Sequence, residues 1–85
     1  MSKTREVEQR LKLLVYKERI RAVDFFRDFD KLRSGFVTPA QFRRVLTSIK
    51  LYVNDQEADA LIGKYYRDGR GVNYQDFCDE LDTGI

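Results

Sequence analysis

The chain has 85 residues, a net charge of +2, 42% hydrophobic and 35% charged side chains, no histidine and one cysteine. That is enough for one small globular domain with one modest core. It excludes an internal disulfide, and no apolar run reaches membrane-spanning length. It also removes the commonest general base and metal ligand, and the charge is too small to argue for nucleic acid by itself. No signal peptide opens the chain, and the lone Cys78 fits an intracellular, cytoplasmic setting.

Residues 4–29 contain no glycine or proline and predict one long helix. Val7, Leu11, Leu14 and Val15 form one apolar stripe along it; Ala22, Phe25, Phe26 and Phe29 form another. Tyr16, Ile20 and Val23 make a further stripe turned away from Phe26 and Phe29. A loop over 30–38 follows. Thr38-Pro39-Ala40-Gln41 is a capping box with proline at the first helical position, and Phe42, Val45, Leu46 and Ile49 carry that helix's apolar face.

After a linker over 50–53, Asn54-Asp55-Gln56-Glu57 starts a third helix that runs to about Arg67, with Ala58, Leu61, Ile62 and Tyr65 inward. The segment Asp68-Gly69-Arg70-Gly71 is turn-rich. Asn73 caps the last helix, about 74–81, which faces inward with Phe77 and Leu81 and places Cys78 on its outer face. The chain also repeats itself. Phe26, Phe29 and Gly35 recur 36 residues later as Ile62, Tyr65 and Gly71, and Val37, Phe42 and Leu46 recur 35 later as Val72, Phe77 and Leu81. The change of offset means that the second loop is one residue shorter.

The frame Phe26, Phe29, Asp30, Gly35, Val37, Gln41, Phe42 resembles an EF-hand, a helix–loop–helix calcium motif with a loop of about twelve residues. With the repeat, the resemblance becomes a degenerate EF-hand pair. It implies an all-α fold apart from a short antiparallel β-bridge that pairs Val37 with Val72. Residues 1–16 would be a helical extension continuous with the first helix. Residues 17–82 would be the pair, with hands at 17–50 and 54–82, and 83–85 a tail. Loop positions 1, 5, 9 and 12 fall on Asp30, Ser34, Thr38 and Gln41, but position 3 is Leu32 and position 12 is a neutral amide. In the second loop, Tyr66 takes the first ligand's place. Calcium needs six to eight oxygens, mostly anionic, and Lys31, Arg33, Arg67 and Arg70 repel a cation. The expectation is therefore no metal, with Asp30 capping its turn. The alternative is weak Ca²⁺ or Mg²⁺ binding in the first loop through Asp30, Ser34, Thr38 and Gln41.

The expected function is a calcium-independent protein-interaction or scaffold module. Its wording over 25–35 is similar to degenerate EF-hand pairs of cytoskeletal and ciliary or flagellar proteins. The alternatives are a regulatory domain that binds a divalent ion weakly, and an oligomerisation domain built on the first helix. The partner is expected to be a protein, either an amphipathic helix or a second copy of the chain, with no nucleic acid and no membrane. Val7, Leu11, Leu14, Tyr16, Ile20 and Val23 are the candidate partner-binding residues. Folding of those residues back onto the lobe is the other possibility. No nucleophile–base pair, phosphate loop or zinc spacing suggests an enzyme.

Overall fold

The computed structural model describes residues 3–82. It is mostly helical with a small antiparallel sheet: α1 (Lys3–Glu18), α2 (Ala22–Arg27), β1 (Phe36–Val37), α3 (Pro39–Ser48), α4 (Asp55–Tyr65), β2 (Tyr66–Arg67), β3 (Gly71–Asn73) and α5 (Tyr74–Asp82). Among the described residues, no helix is long and apolar enough to cross a membrane. Residues 83–85, expected as a tail, lie outside the described range.

The long first helix is in fact two. Arg19 takes a left-handed φ of +54°, and the Ile20 N–H donates to the Val15 carbonyl at 3.1 Å, the six-to-one bond of a Schellman stop. Nothing in the local sequence breaks the helix; packing does. A straight helix over 4–29 would reach roughly 39 Å, whereas the molecule is 30 Å in its longest direction. Turning at Arg19 lets α1 lie back across α4 and α5 while α2 still delivers Phe26 to the centre. The extension expected to run on from the first helix is a separate, folded-back helix of the same core.

The remaining elements form two helix–loop–helix units, α2–α3 and α4–α5, whose loops pair. β1 and β3 run antiparallel with Phe36 opposite Asn73 and Val37 opposite Val72, the register that the repeat predicts. β2 adds a third strand on the other side of β3, with Tyr66 opposite Val72 and Arg67 opposite Gly71. It takes residues expected to be helical, and α4 ends at Tyr65. Gly71 has φ +121°, and a Cβ there would sit 2.7 Å from the Val37 carbonyl oxygen, so the close approach of the two loops requires glycine. The helix starts follow their caps. Thr38 accepts from the Gln41 N–H while the Gln41 side chain accepts from the Thr38 N–H, and Asn54 and Glu57 do the same for α4. Asn73 accepts from the Asp76 N–H at α5.

An aromatic cluster fills the centre. Phe26 stacks on Tyr74 and Phe42, with centroids 5.2 and 5.5 Å away, and Phe77 sits edge-on to Phe26, Phe42 and Tyr65. Val7, Leu11 and Val15 of α1 close this core from one side, and Leu46, Leu51, Leu61 and Leu81 join it. Three placements correct the sequence reading. Phe29 is 37% exposed because α2 ends at Arg27 and the turn swings its ring outward. Leu51 is fully buried, not linker: it follows Lys50 (φ +65°) at the Schellman stop of α3. Cys78 is buried, and burial, aided by Asp82 and Asp79, pushes its thiol up to about 12, which leaves it inert. Phe26→Ala should therefore cost about 4 kcal/mol, and Phe29→Ala about 1 kcal/mol, in urea unfolding.

Candidate functional site

Two places were expected to carry function: the first loop and the apolar face of the first helix. In the loop, Asp30 is buried at the exit of α2. Its Oδ1 accepts from the Ser34 N–H and the Ser34 hydroxyl, both at 2.9 Å. Its Oδ2 accepts from the Gly35 N–H and the Tyr74 hydroxyl, both at 2.6 Å. A carboxylate offers about four lone-pair sites, so protein donors occupy the whole acceptor capacity of Asp30. Burial alone would raise the Asp30 pKa. The bonds from Tyr74, Gly35 and Ser34 outweigh it and hold the group at about 2. The Tyr74 hydroxyl is pushed up to about 12 by burial and by its bond to Asp30.

The other first-loop candidates are engaged as well. Ser34 Oγ, besides donating to Asp30, accepts from the Phe36 N–H at 3.3 Å. Thr38 and Gln41 cap α3 through each other. Leu32, at the place of the missing third-position ligand, is 92% exposed. In the second loop, Tyr66 lies in β2, and Asp76 pairs with Arg67 at 3.7 Å and accepts from the Asn73 amide. Among the described residues, no three acidic, histidine or cysteine side chains converge on one point. The bond to Tyr74 was beyond sequence reading. It spans 44 residues, and the repeat aligns Tyr74 with Pro39, which has no hydroxyl.

The partner-binding candidates scatter. Val7 and Leu11 are core residues and present no surface to a partner. Leu14, Ile20 and Val23 are partly buried against that core. Tyr16 alone stands free, 73% exposed, beside Leu13 at 56%, which the sequence reading passed over. The reason is an anchor also missed in the sequence. Glu8, buried on α1, accepts from Lys64 Nζ at 2.7 Å and from the Tyr65 hydroxyl, both on α4. Burial and Glu8 together drive the Tyr65 hydroxyl well above its ordinary range. Arg10 forks onto Glu57 at 2.9 and 3.0 Å, and Lys12 reaches Glu80 at 3.3 Å. The last two pairs follow a long-range charge pattern, in which residues 1–50 carry 13 basic and 6 acidic side chains and residues 51–85 carry 3 and 8, whereas the Glu8–Lys64 pair runs against it. The basic helix α1 thus settles on the acidic helices α4 and α5. What remains of its outer surface is a shallow groove of about 500 Å³ lined by Arg10, Leu13, Leu14, Tyr16 and Lys17.

No protein-family model matches the chain. A stretch of 62 residues, 73% of the chain, is 29% identical to the Myosin-2 essential light chain of Drosophila melanogaster. The matched stretch spans 42% of that relative's length. The relative is of EF-hand type, and the likeness supports an EF-hand-like helical protein at that coarse level.

Proposed function

We propose that this chain is a protein-interaction module built on a degenerate EF-hand pair, and that it holds its binding-competent shape without calcium. The observation that carries this reading is the Asp30 carboxylate, whose lone pairs are taken by Ser34, Gly35 and Tyr74. In a calcium loop the ion gathers the loop's oxygens and fixes its turn. Here the turn is fixed by protein donors, and the tyrosine that completes the set comes from the second unit. The two units are thereby locked together by a hydrogen bond where a metal site would need free oxygens.

The named relative is a light chain of myosin, which supports a protein partner and a cytoskeletal setting. The partner surface lies on the outside of the folded lobe, because Val7 and Leu11 are consumed by the core. Leu13 and Tyr16, flanked by Arg10 and Lys17, form one such face, suited to an amphipathic helix of another protein. No enzymatic role is proposed: the single thiol is buried and held protonated.

Calcium titration tests the reading. A ligand that binds only the folded state must raise its stability. Millimolar calcium should leave the melting temperature and the amide shifts of 30–41 unchanged. A rise of several degrees, with shifts centred on Gly35, would mean that the loop retains a working ion site.

A further inference from the structure

The corner between α1 and α2 meets the C-terminal end of α3 around an open groove of about 360 Å³. Its floor is apolar, formed by Ile20, Phe25 and Ile49, and its rim carries Arg19, Arg21 and Lys50 against one acid, Glu18. Phe25 leaves much of its ring in solvent. Arg21 pairs with Asp24 at 3.2 Å. Among the described residues, no hydrogen bond or ion pair engages the side chains of Arg19 and Lys50.

Those two cations also share an unusual backbone. Arg19 has φ +54° and Lys50 φ +65°. Arg19 directly follows α1 and Lys50 stands two residues past α3, each at a stop closed by a six-to-one bond: Ile20 N–H to the Val15 carbonyl, and Leu51 N–H to the Leu46 carbonyl at 2.9 Å. Such stops favour glycine, because a Cβ is strained in the left-handed region. The stops need no side chain, yet both carry a long cation that reaches one groove. Attraction to the helix C-terminus offsets part of the strain but does not account for the apolar floor between them.

We propose that this groove docks a segment of a partner protein that sets carboxylates beside large apolar side chains, such as one face of an acidic amphipathic helix. The inference rests on the interaction reading above and gives the partner its chemistry. Apolar side chains would cover Ile20 and Phe25 above the buried Ile49, and the carboxylates would meet Arg19 and Lys50. On a second copy the densest run of acids, Asp79, Glu80 and Asp82, lies on α5, whose apolar residues Phe77, Cys78 and Leu81 are all buried, so that helix does not present such a face.

The backbone supplies a variant that separates binding from folding. Arg19→Gly with Lys50→Gly removes both cations and relieves both left-handed positions, so its melting temperature should equal or exceed that of the native chain. A helical peptide of glutamate and leucine is titrated into the isotope-labelled full chain in excess chelator, with a lysine–leucine peptide as control. Amide shifts should centre on Ile20, Phe25 and Ile49, weaken with added salt, and require about tenfold more peptide in the double variant. The proposal is overturned if the double variant binds like the native chain, or if the lysine peptide binds as well. Shifts confined to Leu13 and Tyr16 would remove this groove while leaving the interaction reading intact. Concentration-dependent shifts at the same residues without peptide would make the groove a self-contact. Tighter binding to phosphatidylserine vesicles than to the peptide would make it a membrane contact. Each of these two results also overturns it.

Discussion

Leu11→Asp should unfold the protein. Leu11 is completely buried among α1, α4 and α5. Losing its packing costs about 2–5 kcal/mol, and a carboxylate left without a partner in that position costs several more. Together these match the whole stability expected of a domain this size, on the order of 5–10 kcal/mol. Circular dichroism at neutral pH should show loss of helix and of aromatic packing. Tyr16→Asp, one turn further along on the outer face, should change stability by less than about 0.5 kcal/mol. If Leu11→Asp left the aromatic core intact, α1 would be an appendage after all, and its stripe would again be open to a partner.

Asp30→Ala should cost about 3–4 kcal/mol, because it strands the buried Tyr74 hydroxyl and the Gly35 N–H. Asp30→Asn should cost less, since the amide oxygen still accepts two of the four bonds. The same contacts set the acid response. The folded-state value of about 2 lies below the ordinary 3.8, so the stabilisation is fully present above the ordinary value. It is lost as pH falls through the range between the two, and it amounts to about 2 kcal/mol. Urea unfolding at neutral and acid pH should show the native chain losing that much more stability than Asp30→Asn does.

Features written in neighbouring residues were legible in the sequence. Thr38 to Gln41, Asn54 to Glu57 and Asn73 to Asp76 are caps closed within one turn. The offset of the repeat placed Val37 opposite Val72 because the distance from loop glycine to bridge valine is a local property of each loop. What escaped was set by contacts across the chain. No residue between Thr4 and Asp30 breaks a helix, so the stop at Arg19 follows from where Val7 and Leu11 find apolar neighbours. Phe29 was placed inside by its spacing from Phe26, but the helix that would have turned it inward ends two residues earlier. Cys78 was judged outward because the repeat aligns it with Arg43, yet that face of α5 is covered in the folded chain. The loop's own state was half legible. The missing ligands at Leu32 and Tyr66 could be read directly, whereas the tyrosine that completes the Asp30 bonds comes from the other end of the chain.

The carboxyl carbon resonance of Asp30, followed by pH titration with and without millimolar calcium, tests the central claim most directly. A carboxylate fully occupied by Ser34, Gly35 and Tyr74 should show no titration step above about pH 3, consistent with its folded value of about 2. Its shift should be the same in both solutions. A step near the ordinary 3.8, or a calcium-dependent shift of that resonance, would show that the oxygens are free and contradict the account.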